Sequence, residues 1–200
     1  MQSPVCCESS ISAIRCGVMT DARDAMTPIP EQPVHIVPYD ESWPTRFEQE
    51  RTILDRVIGS WVVGGIEHVG STAVPGLAAK PVIDIMIGVE SLEASRAAIP
   101  VLSKIEYCYF PYRPDLMHWF CKPSPSFRTH HLHLIPFRSR LWIERLAFRD
   151  YLRAHADAAT EYAELKERLA AQHHLDREAY TDAKTPFVER ILKIALAEKR

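Results

Sequence analysis

One segment of the sequence, residues 67–85, combines residue types that suit phosphate chemistry. It contains a Gly70-Ser71-Thr72 turn between two apolar strand candidates. A glycine lets the backbone approach a ligand closely, and the hydroxyl and amide groups of Ser71 and Thr72 can hydrogen-bond to an anion. The sequence therefore predicts a phosphate-binding turn formed by Gly70, Ser71 and Thr72.

A single carboxylate, Asp84, interrupts the most apolar strand candidate, residues 82–89. Alternation along a strand places Asp84 on the same face as Val82 and Met86. A carboxylate inside such a strand is costly unless it is paired, hydrogen-bonded or bound to a metal. We therefore predict a functional role for Asp84.

The string from His68 to Asp84 resembles the hallmark of the GrpB family of nucleotidyltransferase-like proteins, and the similarity runs from residue 35 to the C-terminus. The resemblance implies a nucleotidyltransferase fold, in which a small mixed sheet carries the Gly-Ser turn on one strand and metal carboxylates on the next. It also implies a divalent metal cofactor, magnesium or manganese. The implied partners are a nucleoside triphosphate and an unknown small-molecule acceptor.

The sequence departs from active nucleotidyltransferases of the polymerase type at one position. Those enzymes carry two carboxylates two residues apart, because two magnesium ions need bridging oxygens. Here the positions on either side of Asp84 on the same face hold Val82 and Met86, which cannot bind a metal. A neighbouring strand candidate offers His131 and His133 on one face instead.

The predicted catalytic set is therefore Asp84 with His131 and His133, and His68 is a candidate additional ligand. One aspartate with two histidines suits zinc, manganese or iron better than magnesium. Two alternatives stay open. The histidines could be hydrogen-bonded to Asp84 with no metal, or an imidazole could act as the general base for an acceptor hydroxyl.

Triphosphate chemistry depends on positioning and on charge neutralisation, so it requires basic residues. The sequence offers three candidates for phosphate binding: Lys80, Arg128 and Lys184. Lys80 precedes the Asp84 strand, and Arg128 begins the strand of the two histidines. Lys184 lies in the tract 180–187, which also resembles the family.

A second basic series occupies every fourth position of a predicted helix: Arg145, Arg149 and Arg153. Glu144 and Asp150 lie beside these arginines along the chain. A stripe of this kind is typical of a solvated helix face. We therefore predict a structural surface role for the three arginines.

The elements that must position these residues follow from apolar periodicity. Strands are predicted at residues 35–37, 66–69 and 82–89, and a hairpin pairs 116–121 with 130–137. Helices are predicted after Ser42, over 91–104, over 143–155, around the Tyr162 stripe and over 187–198. The predicted fold is α+β, with an α/β core at 34–140 and a helical part at 141–200. Residues 1–33 show no apolar period and are predicted to be a disordered tail.

Composition narrows the function classes. The formal net charge of -2 predicts no broad affinity for nucleic acid or for acidic membranes. Five cysteines without CxxC spacing favour reduced thiols. No apolar stretch is long enough to span a bilayer, and the start lacks the pattern of a signal peptide. The sequence thus predicts a cytoplasmic protein and leaves its oligomeric state open.

Three functions remain open at this point. The first is transfer of a nucleotidyl group from a nucleoside triphosphate to a small acceptor. The second is non-catalytic binding of a nucleotide or another anion, and the third is metal-dependent hydrolysis of a phosphate ester. Val82, which replaces the second carboxylate, is the feature that separates the first function from the other two.

Overall fold

A computed structural model describes residues 33–198. The predicted tail therefore lies outside the described residues, apart from Pro33. A five-stranded sheet runs through the molecule in the order β1-β2-β5-β4-β3. Its strands are β1 (Ile66–Val69), β2 (Ile83–Val89), β3 (Cys108–Phe110), β4 (His118–Pro123) and β5 (Arg128–Pro136). The central strands β2 and β5 are parallel, and every other pair of neighbouring strands is antiparallel.

One face of the sheet is covered by α1 (Trp43–Ile58), α2 (Leu92–Ser95) and α3 (Ile99–Ser103). Strand β2 turns Ile83, Ile85 and Ile87 toward this side, and all three are fully buried. A parallel strand covered on both faces reads as a near-continuous apolar run, which is why 82–89 gave so clear a strand pattern. Asp84, the charged residue within that apolar segment, faces the other side of the sheet.

The other side carries the C-terminal helices α4 (Arg140–Ala154), α5 (Ala156–Gln172), α6 (Arg177–Asp182) and α7 (Thr185–Glu198). Trp142 of α4 packs against Met86 and Ile135 of the sheet. Tyr162 of α5 and Phe187 of α7 belong to a cluster that also contains two residues after β1: Val74 and Leu77. The helical part therefore packs directly on the segment that follows Gly70.

The α+β class and the predicted hairpin are confirmed, since β4 and β5 are antiparallel neighbours. The strand at 35–37 is wrong, because only Val37 forms a bridge, to Ala79. The helix at 91–104 is broken into α2, a 3₁₀ turn (Arg96–Ala98) and α3. Pro100 has no amide hydrogen with which to continue a helix from the preceding turn.

Two elements, β3 and α6, lack a counterpart among the predicted elements. Both are short, with three and six residues, and short elements carry little periodic signal. Among residues 33–198, no helix combines the length and the apolar character needed to cross a bilayer.

Candidate functional site

A cavity of about 180 Å³ lies where the sheet meets the C-terminal helices. The sheet side and its loops contribute Gly70, Ser71, Thr72, Ala79, Lys80, Val82, Asp84 and His131. The helical side contributes Phe148, Tyr162, Lys166, Tyr180 and Lys184. The structure thus brings seven of the predicted site residues to the wall of one cavity.

Gly70 sits against the carboxylate of Asp84. Its backbone has φ 71° and ψ -172°, a conformation that L residues rarely adopt. A Cβ atom at this position would lie 2.4 Å from Asp84 Oδ2 and 3.0 Å from Asp84 Cγ. Glycine is therefore required here by Asp84 itself as well as by any ligand.

The hydroxyl of Thr72 is already engaged in the fold. It donates to the carbonyl oxygen of Val82 over 3.1 Å and accepts from Nε2 of His68, also over 3.1 Å. Ser71, its neighbour, forms a side-chain hydrogen bond with Tyr162 of α5. These bonds fix the turn after β1 and leave its backbone amides as the groups able to bind an anion without breaking a side-chain bond.

Asp84 and His131 form a hydrogen-bonded pair on the cavity wall, with 3.0 Å between Oδ1 and Nδ1. They are register partners on the parallel strands β2 and β5. Burial alone would raise the pKa of Asp84, but the hydrogen bond from His131, with His133 acting in the same direction, lowers it below the usual range. An ionised carboxylate can only accept, so Nδ1 of His131 carries the proton.

In a neutral His131 the other nitrogen, Nε2, then bears the lone pair. This atom is buried and has no hydrogen-bond partner among the described residues. Buried polar atoms are normally paired, so an unpaired one requires an explanation such as a ligand, a water or a catalytic role. The geometry is that of an aspartate-oriented imidazole base.

His133 occupies a different environment behind this pair. Its Nε2 lies 3.9 Å from Asp84 Oδ1 but 3.5 Å from a guanidinium nitrogen of Arg145. Because Arg145 can only donate, Nε2 of His133 accepts, and Nδ1 faces the sulfur of Met117 at 3.3 Å. Burial, reinforced by Arg145, lowers the pKa of His133 to about 3, so this imidazole is neutral.

The predicted metal set of Asp84, His131 and His133 stays a prediction, and the three side chains have other partners in this arrangement. Nδ1 of His131 donates to Asp84, and Nε2 of His133 faces the guanidinium of Arg145, so the three side chains do not turn their free electron pairs toward one point. Among residues 33–198, no group of three His, Cys, Asp or Glu side chains could hold a metal ion. We therefore derive no chemical step through a metal bound by these residues.

Three lysines of the cavity wall, Lys80, Lys166 and Lys184, form what we call the lysine cluster. The Lys80 and Lys184 ammonium groups lie 5.0 Å and 4.1 Å from the ring centre of Tyr180. Lys166 lies 4.8 Å from the ring centre of Tyr162 and donates to the carbonyl oxygen of Ala78. Aromatic faces thus hold three lysine side chains around one cavity.

The environment disfavours the charge of these lysines. Burial lowers the pKa of Lys80 to about 7 and that of Lys166 to about 7, and repulsion from Lys184 acts in the same direction on both. Burial lowers the pKa of Lys184 to about 8, against the attraction of Asp84. Asp84 is the only carboxylate on the described cavity wall, so one negative charge faces three lysines and cannot balance them when all three are protonated.

Two predicted site residues lie elsewhere. His68 pairs with Ile85 across β1 and β2, so it faces away from Asp84 and stacks on Phe47 at 4.7 Å. Arg128 lies over the ring of Trp119 at 5.3 Å, and its Nε donates to the carbonyl oxygen of Pro125. Neither residue lines the cavity.

The predicted solvated arginine face is wrong for two of its three members. Arg145 contacts His133 beneath the site. Arg149 donates to Glu67 over 2.7 Å and to the carbonyl oxygen of His68 over 3.0 Å. The sheet lies against this side of α4, so Arg145 and Arg149 contact polar groups of β5 and β1.

Comparison with known proteins places the chain in a family. Residues 33–194 match the model of a family described as GrpB protein. The chain belongs to the GrpB family. A UPF0157 protein of Pseudomonas aeruginosa is 40% identical over 171 residues, covering 84% of this chain and 69% of the relative. The glutamate-rich protein GrpB of Alkalihalophilus pseudofirmus is 34% identical over 168 residues, covering 80% of this chain and 94% of the relative.

The fold of this GrpB chain is also seen in a relative. The crystal structure of the conserved protein GrpB from Enterococcus faecalis superposes with a TM-score of 0.75 at 34% identity. The match covers 82% of this chain and 99% of that one. The names of these relatives state no biochemical activity, so the site geometry has to carry the functional argument.

The cavity contains residues that sequence reasoning missed, and one of them left a signal. Lys166 lies four residues after Tyr162 and three before Leu169, on the buried stripe of α5. A lysine within an apolar helix stripe is as unusual as an aspartate within an apolar strand. The other missed residue, Tyr180, lies on α6, which itself was not predicted.

Proposed function

We propose that this GrpB protein binds the phosphate groups of a nucleoside triphosphate or a similar phosphorylated small molecule in the cavity. The observation that carries the proposal is the lysine cluster, which brings three ammonium groups and one carboxylate to the same wall. Phosphate oxygens would supply the missing negative charge and restore the protonated state of the lysines. The backbone amides of Ser71 and Thr72 would add donors, as expected of a Gly-Ser turn.

The cavity volume limits what can enter it. At about 180 Å³, it is smaller than sites that enclose a whole drug-sized ligand, which measure roughly 300–1,000 Å³. Phosphate groups fit inside, and the remainder of the ligand would extend toward solvent. This division agrees with a nucleotidyltransferase-like placement, in which the protein holds mainly the phosphates.

Thermal unfolding in the presence of ATP, ADP, pyrophosphate and phosphate tests the binding proposal. A ligand that binds only the folded state must raise the unfolding midpoint. We expect stabilisation by ATP in the wild type and its loss in Lys80→Met and Lys184→Met. The exposed Lys193→Met on α7 is the matched control and should retain it. Equal stabilisation of all four proteins would overturn the proposal.

A specific observation favours catalysis as the second candidate. His131 lines the cavity, its ring is oriented by Asp84, and its buried Nε2 has no partner among the described residues. In nucleotidyl transfer, Nε2 would take the proton of an acceptor hydroxyl while the acceptor oxygen attacks the α-phosphorus. The bond from that phosphorus to the pyrophosphate oxygen breaks, and the lysine cluster would neutralise the charge that leaves with pyrophosphate.

The variant His131→Asn separates catalysis from binding. The amide nitrogen of asparagine can replace Nδ1 as donor to Asp84, but it supplies no base. We expect His131→Asn to retain ATP binding and to lose transfer of α-labelled nucleotide to a panel of hydroxylated acceptors, with magnesium or manganese supplied. The control His130→Asn faces the other side of the sheet and should retain both. If neither wild type nor variant transfers nucleotide to any acceptor, the binding function alone stands.

A further inference from the structure

A second concavity, which we call the edge groove, opens beside the cavity on the far side of Thr72. Its volume of about 450 Å³ falls within the range of small-molecule sites, roughly 300–1,000 Å³. Its walls come from α1, β1, the segment after β1 and α4. Because β1 is an edge strand of the sheet, side chains rather than a further strand cover this side.

Most charges of the edge groove are already paired within the fold. Nε of Arg51 lies 2.7 Å from a carboxylate oxygen of Glu48. Arg149 bonds to Glu67 at 2.7 Å and to Asp150 at 2.8 Å. Within the groove lining, Arg51 and Arg149 are therefore offset by Glu48 and Glu67, and Asp150, outside the lining, is a second partner of Arg149.

Arg153 is the exception. Its Nε donates to the carbonyl oxygen of Ala73 over 2.8 Å, which holds the side chain at the groove wall. Among the described residues, no hydrogen bond or ion pair engages its two terminal nitrogens. Partial burial and the neighbouring Arg149 cation lower the pKa of Arg153, and attraction to Asp150 and Glu67 acts in the opposite direction. A held guanidinium with two free donors matches the two oxygens of a carboxylate or phosphate.

The rest of the groove is largely apolar and partly aromatic. Tyr39, Pro44, Ile66 and Pro75 contribute to its lining. Phe47 and His68 also line it, with their rings stacked at an interplanar angle of 7°. Burial lowers the pKa of His68 to about 4, so this imidazole adds no charge. Such a surface accommodates a flat apolar body better than a hydrated ion.

We propose that the edge groove is a separate binding site for a small planar organic anion, whose carboxylate or phosphate pairs with Arg153 and whose apolar body lies on the Tyr39 and Phe47 side. The site is independent of phosphate binding in the cavity, because the lysine cluster contributes nothing to it. Arg153 selects the anionic group, and the apolar lining selects the attached ring.

Titration with indole-3-acetate, followed by amide chemical shifts of the full chain, tests the proposal. Tryptamine has the same ring with an ammonium group instead of a carboxylate, and it serves as the charge control. We expect saturable shifts from indole-3-acetate at the edge groove and none from tryptamine. Equal binding of both compounds, or shifts confined to the lysine cluster, would overturn the proposal.

Substitutions at Arg153 supply the second arm. Arg153→Met should weaken indole-3-acetate binding about tenfold or more, the usual effect of losing a charge-assisted pair. Arg153→Lys keeps the charge without the paired donors and should fall between Arg153→Met and wild type. Both variants lose the hydrogen bond from Nε of Arg153 to the carbonyl oxygen of Ala73. Comparing their unfolding midpoints with that of the wild type shows whether this loss destabilises the fold.

Two further variants serve as controls. The exposed Arg168→Met on α5 should bind as wild type does. Lys80→Met should also bind as wild type does, which separates this site from the cavity. Unchanged affinity in Arg153→Met would refute the assignment whatever the outcome of the ATP experiment.

Discussion

Replacement of Gly70 by alanine tests the contact on which the cavity wall depends. The new Cβ would lie 2.4 Å from Asp84 Oδ2 and 3.0 Å from Cγ and Cβ of the same residue. All three atoms are held by β2, whose strand is paired on both sides. The substitution should therefore destabilise the fold and displace the Asp84 carboxylate from His131.

The magnitude has two parts. An L residue at the φ of 71° and ψ of -172° of Gly70 costs roughly 1–3 kcal/mol, and overpacking against fixed neighbours adds roughly 1–3 kcal/mol. Gly76 separates the two parts, because its φ is 76° and a Cβ there would meet nothing within 4 Å. Gly76→Ala should thus lose only a backbone part, and Gly70→Ala should lose roughly 2–6 kcal/mol of unfolding free energy in total.

Urea unfolding of both variants measures these free energies. The restriction of the unfolded chain by alanine is common to both and cancels in the comparison. In an Asp84→Ala background, Gly70→Ala should cost less, because the carboxylate that clashes is gone. Equal losses in Gly70→Ala and Gly76→Ala, or no relief by Asp84→Ala, would refute the contact.

Three further predictions concern charge. The pKa values of Lys80, Lys166 and Lys184 lie at about 7, 7 and 8. The affinity for phosphate, measured by calorimetry, should therefore fall between about pH 6 and 9 as these lysines lose their protons. Over the same pH range the free energy of unfolding without ligand should rise, because the lysines of the unfolded chain keep protons that those of the folded chain lose. A free energy of unfolding that does not change with pH would contradict the burial of the cluster. Lys122→Met leaves the buried Glu50 carboxylate, 2.9 Å away, without its cation, and should lower the free energy of unfolding, measured in urea, by about 3 kcal/mol. Breaking the exposed pair of Arg51 with Glu48 should lower it by about 0.5 kcal/mol. Equal losses would argue against burial as the cause. Arg145→Met removes a cation beside His133, so NMR titration should show the pKa of His133 raised from about 3; an unchanged value would mean that burial alone sets it.

The sequence located the sheet and one side of the cavity. Apolar alternation defined β2, and Asp84 stood out because a carboxylate conflicts with so apolar a strand. Alternation likewise placed His131 and His133 on one face, and the parallel register then brought His131 beside Asp84. Strong local patterns of this kind are visible without tertiary information.

The sequence could not separate the roles of the two histidines. Both share a strand face, yet Arg145 from α4 makes His133 a neutral acceptor, whereas Asp84 fixes the proton of His131. That difference arises because a helix packs under one histidine and a cavity opens beside the other. Alternation alone therefore gave both histidines one predicted role as metal ligands, whereas the packed structure gives them different partners.

Tertiary structure also decided where the positive charge gathers. Lys80 and Lys184 lie 104 positions apart in the chain. They meet Lys166 only because α5 packs on the segment after β1 and Tyr180 of α6 lies against Lys80. The sequence by itself determined the strand types, the glycine turn and the misplaced carboxylate, because these depend on neighbours along the chain. The lysine cluster and the edge groove depend on helices meeting a sheet. The apolar stripe of α5 could have indicated that Lys166 is buried, but not which residues it meets.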